Sequence, residues 1–179
     1  MKNLAFVLLV IAAATIGLNN TGCSEVVEPT TPTDTTDTTE TGLVLDNRFT
    51  LGFDTYTIDE DENTTSGVYN RAADRTYIFA AGNDPKNGDA DFNIEFPGDS
   101  VGTFTVKDDG IVFECGTGTK GTVKREEFSA DNTNLTVIVT EYGAVGEKIK
   151  GTFSGKVMKG INSLDIKNGS FEVERSPDE

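Results

Sequence analysis

The fold of this chain is decided by the stretch Lys148-Ile149-Lys150-Gly151-Thr152-Phe153-Ser154-Gly155-Lys156-Val157. Apolar side chains or glycines occupy every second position, and lysine, threonine or serine occupies the positions between them. A period of two is the pattern of a β-strand that is buried on one face, whereas an amphipathic helix repeats every 3.6 residues. The stretch therefore predicts a strand that turns its glycines and its phenylalanine towards a core.

The same alternation continues over most of residues 43–175. Turns rich in Asp, Asn, Gly and Pro separate the apolar runs, and no window of ten or more residues carries a helical stripe. Short connections favour antiparallel pairing, because a parallel crossover needs about a dozen residues or more. We therefore predict an all-β domain, an antiparallel β-sandwich or flattened β-barrel of about nine short strands. The predicted strands are 49–58, 76–81, 91–96, 101–106, 111–115, 122–128, 135–140, 148–157 and 170–174.

Two further predictions concern the C-terminal part of the domain. Asn168-Gly169 has the composition of a turn, so we expect a turn before the last strand. The final four residues, 176–179, contain no apolar side chain, and we expect them to form a disordered tail.

The N-terminus has the features of an export signal. Lys2 precedes an apolar run over residues 4–16, which is shorter than the roughly 20 residues of a transmembrane helix but has the proportions of a secretory signal. The sequence that follows is Leu18-Asn19-Asn20-Thr21-Gly22-Cys23. It resembles the lipobox of bacterial lipoproteins, in which the cysteine is lipidated and becomes the new N-terminus. The resemblance implies a signal peptide over residues 1–22 and an acylated, palmitate-bearing Cys23 that holds the protein to a membrane. An ordinary secretory signal with an incidental cysteine is the alternative.

Residues 23–42 are predicted to be a disordered tether between Cys23 and the β-domain. From Pro29 to Gly42 the chain has no apolar side chain whose burial could offset the entropy of ordering it. The Asp-Thr-Thr sequence occurs twice, at residues 34–36 and 37–39, and resembles the acceptor triplet of a bacterial O-glycosylation system. A bare low-complexity spacer is the alternative.

Charge and composition argue against several classes of function. The chain has 15 Lys and Arg against 30 Asp and Glu, a formal net charge of −15. Nucleic acids require clusters of basic residues, so we expect no nucleic-acid partner, and a domain so acidic is not expected to lie flat on anionic lipid. There is no histidine, which excludes His-dependent triads and His-ligated zinc. We find no catalytic constellation and expect no enzymatic activity.

Two motifs invite a chemical interpretation that their context does not favour. Residues 116–121 spell G-x-G-x-x-G, but they lie between two predicted strands, so they indicate a glycine-rich hairpin loop and no nucleotide site. Cys115 is left as a lone thiol if Cys23 carries lipid. It shares the apolar face of residues 111–115, where a buried, inert thiol is expected.

Two acidic segments are candidates for calcium binding, the one cofactor we consider. Residues 59–63 and 83–91 are rich in Asp, Asn and Glu, whose oxygens are the ligands that Ca²⁺ prefers. Residues 83–91 do not fit the EF-hand template, and solvated turns are the alternative for both segments. The candidate metal ligands are Asp59, Asp61, Asp89 and Asp91.

The C-terminal third resembles a β-rich lipoprotein domain of unknown function. The resemblance rests on the strand region 134–142, on Gly-Thr-Phe-Ser-Gly at 151–155 and on Asn-Gly-Ser-Phe at 168–171 within the closing strand 166–173. It implies a fold and a cellular address, and it brings no catalytic residue with it.

These observations predict a lipoprotein of the cell envelope, held to the outer membrane and either exposed on the cell surface or facing the periplasm. We expect its β-domain to be a non-enzymatic binding or envelope-structural module with a protein or glycan partner. The alternative function is transport of a small apolar ligand in a barrel cavity lined by phenylalanines.

Overall fold

The computed structural model describes residues 46–58, 65–130 and 134–179. The predicted signal peptide, Cys23, the tether, Asp59 and Asp61 lie outside these residues. Within them the chain forms eleven strands and one short helix, and all the paired strands are antiparallel, which confirms the predicted fold class. The strands are β1 (Arg48–Leu51), β2 (Asp54–Thr57), β3 (Thr65–Asn70), β4 (Arg75–Asp84), β5 (Gly88–Pro97), β6 (Gly102–Thr105), β7 (Val112–Gly118), β8 (Arg125–Ser129), β9 (Thr136–Tyr142), β10 (Lys148–Lys159) and β11 (Asn162–Glu174), and the helix α1 (Val106–Asp109) follows β6.

The strands form one sheet in the order β2-β1-β11-β10-β8-β7-β5-β4-β3. Strand β10 pairs with β9 along its first half and with β8 at Met158, and β6 pairs with β9. The sheet curls, because β3, the last strand of the path, meets the chain just after β11 through a bridge between Gly67 and Arg175. At the other end of the path, the Thr57 N–H of β2 donates to the Asp84 carboxylate. No helix in the described part of the chain is long and apolar enough to cross a membrane.

The concave face of the sheet encloses a core rich in phenylalanine. The ring of Phe153 lies 5.1 Å from that of Phe92 and 5.0 Å from that of Phe113, measured between centroids. Phe49 joins the cluster at 6.3 Å from Phe92. These four side chains are at most 2% exposed. The positions of β10 that alternate in sequence are therefore buried as predicted, and its phenylalanine lies at the centre of the core.

The sheet has two strands more than the number predicted. The predicted strand 49–58 is divided into β1 and β2 by a tight turn at Gly52 and Phe53, where Gly52 has a φ of +63°. Strand β3 has no counterpart among the predicted strands. Its inward position is Gly67, and a Cβ there would lie 2.7 Å from the Ile149 side chain, so the neighbours leave no room for the apolar residue that would reveal a strand in the sequence.

Asn168-Gly169 is not a turn, which corrects the prediction. Strand β11 runs through both residues, and its register against β10 shifts there: Phe153 faces Gly169, but Gly155 faces Ile166. The extra residue of β11 forms a β-bulge, in which Asn168 has a φ of +51°. Asparagine tolerates this left-handed conformation, so a sequence typical of a turn here produces a bulge inside a continuous strand.

The C-terminal residues 176–179 are paired with β3, contrary to the predicted disordered tail. Ser176 donates its N–H to the Gly67 carbonyl, and Glu179 both donates to Tyr69 and accepts from Arg71 through backbone groups. Asp178 forms ion pairs with Arg71 and Arg175 at 3.0 and 2.8 Å. The open edge of β3 provides backbone partners that a composition argument does not consider.

Candidate functional site

Four connections gather at one end of the sheet. Leu51 lies opposite Ile166, so the β1–β2 turn and the β10–β11 turn point the same way. Ala90 lies opposite Thr117, which places the β4–β5 turn beside the β7–β8 loop. Ser129 pairs with Met158, and this brings the β7–β8 loop to the end that holds the β10–β11 turn. We call these connections the turn ring, defined as residues 52–53, 85–87, 119–124 and 160–161.

Polar contacts hold the turn ring against itself and against the strands beside it. One of them joins two members directly, from Lys120 to Asn87, and the others join a turn, or a residue that flanks one, to a neighbouring strand. The links are Gly52 N to Asp165 O at 3.0 Å, Asn87 Nδ2 to Thr55 O at 2.7 Å, Lys120 N to Asn87 O at 2.9 Å, and Lys159 Nζ to Glu126 Oε1 at 2.7 Å.

Asp84 holds the β4–β5 turn of this ring in place. Its side chain, in a residue only 5% exposed, accepts hydrogen bonds from the backbone N–H groups of Thr57, Lys86 and Asn87 at 2.6–2.9 Å. Burial by itself would raise the pKa of this carboxyl, but the three N–H donors outweigh it and lower the pKa below its ordinary value. Asp84 is therefore charged at neutral pH and ties β2 to the β4–β5 turn.

We expect Asp84→Asn to lower the free energy of unfolding by about 2 kcal/mol at neutral pH, because an amide NH₂ would face a backbone N–H donor. The folded-state pKa lies below the unfolded one, so this contribution is complete above about pH 4 and is lost as the pH falls through the folded-state pKa. Urea denaturation at pH 7 and at pH 3 measures both effects. The exposed neighbour Asp89→Asn is the control, and an equal loss in the two variants would contradict the role of Asp84.

Three large apolar side chains of the turn ring are almost completely exposed. Phe53 is 103% exposed, Val123 106% and Ile161 95%. They lie on three different members of the ring. The other exposed large apolar residues of the described chain are 40–57% exposed. The turn ring thus carries apolar side chains that the fold leaves in solvent.

The charges of the turn ring differ from those of the chain as a whole. Lys86, Lys120 and Lys124 are exposed, and the ring contains no acidic residue. The turns at the other end, residues 71–74, 98–101 and 143–147, together with the tail 175–179, carry five acidic and two basic side chains. The turns of the ring themselves thus carry three basic and no acidic side chains, and Asp54, Asp89 and Glu126 lie on the strands that border them.

The described calcium candidates do not form a cluster. Asp89 and Asp91 lie on the outer face of β5, and Asp91 is ion-paired with Arg125, which also pairs with Glu127. The guanidinium thus occupies the position that a cation at Asp91 would take. Among residues 46–58, 65–130 and 134–179, no group of three or more His, Cys, Asp or Glu side chains is arranged to hold a metal ion.

The glycine-rich motif lies in a hairpin, as predicted. Strand β7 ends at Gly118, the loop 119–124 follows, and β8 returns antiparallel to β7. The close approach at Gly116 has a local cause, because a Cβ there would meet the Arg125 guanidinium that crosses the strand. Residues 119–121 of the motif thus belong to the turn ring, and residues 116–118 belong to β7.

Cys115 faces the core and is 1% exposed. Burial, together with the nearby charges of Asp91 and Glu127, raises the pKa of its thiol to about 12. In a Cys23→Ala chain, where Cys115 is the sole thiol, we expect reaction with a disulfide reagent at pH 8 to be at least about a hundredfold slower than in guanidinium chloride, since only the thiolate reacts. Equal rates in the folded and unfolded chain would contradict the burial of this thiol.

The described surface also carries open depressions. One of about 500 Å³ lies over the β-bulge and is lined by Arg48, Ser154, Lys167 and Asn168 among others. A second of about 370 Å³ lies between β7, β8 and β10 near Glu114 and Met158. Both are open to solvent, and each reaches one core phenylalanine at its floor, Phe153 in the first and Phe128 in the second.

The fold and the turn ring define the chain as an acidic antiparallel β-domain with an apolar, lysine-bearing end. Comparison with protein-family models, with curated proteins and with solved structures finds no match to this chain. Sequence reasoning missed Phe53, Val123 and Ile161 as functional candidates. The sequence did contain part of the signal for their exposure, because each is an apolar residue next to glycine or among polar residues in a turn.

Proposed function

We propose that this chain is an exported lipoprotein, anchored to the outer membrane through Cys23, and that its β-domain is a non-enzymatic binding module. The lipobox-like sequence before Cys23 and the apolar run of residues 4–16 support the anchor. The observation that carries the binding role is the exposure of Phe53, Val123 and Ile161 on one linked set of turns. We take the turn ring as the contact surface.

The position of the N-terminal chain supports this assignment. Asn47 exchanges two hydrogen bonds with Glu172, at 2.9 and 3.2 Å, near the end of β11 that is far from the β10–β11 turn. Asn47, close to the first described residue, thus lies towards the end of the sheet opposite the turn ring.

The packing of the core favours a binding module over a carrier of a small apolar ligand. A carrier needs a cavity in the middle of the barrel-like sheet. The rings of Phe92, Phe113 and Phe153 fill this region with centroid separations of 5.0–5.1 Å. The phenylalanines that suggested a ligand cavity pack against one another.

Two experiments test the proposal. Cells fed a labelled palmitate analogue should incorporate it into the wild-type chain and not into Cys23→Ala, and label retained in the variant would overturn the anchor. For the contact surface, a photo-crosslinking residue placed at Phe53 should yield crosslinked products in intact cells, whereas one placed at Val145, in a turn at the opposite end, should not. Equal yields at the two positions would overturn the assignment of the turn ring.

A further inference from the structure

The apolar side chains of the turn ring project singly rather than as one surface. Phe53, Val123 and Ile161 come from separate turns, and the ring also contains polar residues such as Asn87 and Thr122. A stable protein–protein interface buries about 800 Å² on each partner around a close-packed apolar centre. Separate apolar side chains are better suited to a fluid partner that can surround each of them, such as the headgroup and upper acyl region of a bilayer.

The charge of the turn ring is complementary to anionic headgroups. Lys86, Lys120 and Lys124 are exposed beside the apolar tips, although the chain as a whole has a charge of −15. Two carboxylates border the ring, Asp54 next to Phe53 and Glu126, which lies 3.8 Å from Lys124. Each lysine held near an anionic membrane surface strengthens binding about fivefold. The turns and tail at the other end carry five acidic side chains, and a domain that stands upright keeps these away from the lipid. The net negative charge of the domain therefore opposes binding to anionic lipid in a flat orientation and not in an end-on one.

We propose that the turn ring docks end-on on an anionic phospholipid bilayer, with Phe53, Val123 and Ile161 in the headgroup region and the three lysines at the phosphates. This inference rests on the proposed binding role of the turn ring and names its partner. Residues 24–45, fully extended, span at most roughly 80 Å. That length allows the domain to reach the membrane that holds its anchor, where a local effective concentration strengthens a weak contact.

The test uses the absence of tryptophan from the chain, which makes a single introduced indole a site-specific probe. The full chain is coupled through Cys23 to a maleimide lipid in vesicles that contain about 30% anionic phosphatidylglycerol. Phe53→Trp reports on the turn ring, and Val145→Trp, 51% exposed in wild type, is the matched control at the opposite end. Lipids brominated near the headgroup then quench any indole that enters the bilayer.

We expect the bromolipid to quench Phe53→Trp at least about twofold and to leave Val145→Trp unchanged. Reversing Lys86, Lys120 and Lys124 to Glu in the Phe53→Trp chain should lower the docking equilibrium constant about fivefold or more for each residue, and purely zwitterionic vesicles should lower the constant for the unreversed chain in the same direction but less. Because Phe53 is fully exposed, circular dichroism should show the same fold in all variants.

Several outcomes would overturn the proposal. An unquenched Phe53→Trp means that the ring does not enter lipid, and equal quenching of the two indoles means that the domain has no end-on orientation. A blue shift without quenching that grows with protein density on the vesicle identifies a second copy as the partner. The coupling supplies the anchor chemically, so these results do not depend on lipidation of Cys23 in cells. Palmitate labelling and crosslinking decide the proposed function separately.

Discussion

Gly155→Ala is expected to lower the free energy of unfolding by about 4 kcal/mol, a large share of the roughly 5–15 kcal/mol that stabilises a small domain. Gly155 has a φ of +147°, which L side chains rarely adopt. A Cβ there would lie 2.1 Å from the Asn134 carbonyl oxygen and 2.5 Å from the Leu135 Cα. Both are backbone atoms, and the Asn134 carbonyl accepts from Lys156 at 3.2 Å, so they cannot move aside without losing this contact.

Gly160→Ala is the matched control for this prediction. Gly160 also has a positive φ, +60°, but nothing lies within 4 Å of the position that a methyl group would take there. The expected loss is therefore about 1 kcal/mol, the cost of the left-handed conformation alone. Urea denaturation of the two variants measures the difference. Similar midpoints would show that the close approach of the strands at Gly155 is not required, and would remove the structural reason for the second glycine of Gly-Thr-Phe-Ser-Gly.

Phe153→Ala is the second substitution with a large expected effect, a loss of about 3–5 kcal/mol. Its ring contacts those of Phe92 and Phe113, and lies 6.5 Å from the ring of Phe49. The side chain is 2% exposed, so its removal leaves a cavity among rings that are fixed by three other strands. The same truncation also removes the ring that lies against Gly169 opposite the β-bulge.

Phe53→Ala provides the comparison, because it removes the same atoms from the most exposed phenylalanine of the described chain. Its side chain is 103% exposed, and we expect the free energy of unfolding to change by no more than about 0.5 kcal/mol. Thermal and urea denaturation measure both variants. A loss in Phe53→Ala as large as that in Phe153→Ala would show that Phe53 packs against the domain, and the turn ring would then lack its main apolar tip.

The alternation of apolar and polar residues in the sequence was sufficient to predict most of the strands. Ile149, Phe153 and Val157 are buried as their spacing predicts, and the glycines of residues 116–121 end a strand and begin a hairpin loop. Prediction from the sequence failed where the structural role of a residue depends on its neighbours in space. Asn168-Gly169 has the same composition in a turn and in a bulge, and the pairing of β11 with β10 selects the bulge.

The candidate site was less predictable than the fold. The sequence pointed to Asp89 and Asp91 because carboxylates are recognisable ligands, but Arg125 comes from 34 residues further along the chain and pairs with Asp91. Phe53, Val123 and Ile161 lie far apart in sequence and come to one end of the sheet only after the four connections meet. No pattern within a short window of the sequence can predict that these connections lie close together.

The sequence by itself determined that this chain forms an antiparallel β-domain with a phenylalanine core. Apolar and polar residues alternate within each strand, and this alternation alone decides which face of the strand is buried. Only the tertiary structure decided which strands pair, that Gly67 and the tail close the edge of the sheet, and that lysines and bare apolar tips share one end. The physical reason is the distance along the chain over which each property is set. Alternation is set by residues adjacent in sequence, whereas the partners of an exposed side chain or a charge are set by contacts between residues distant in sequence.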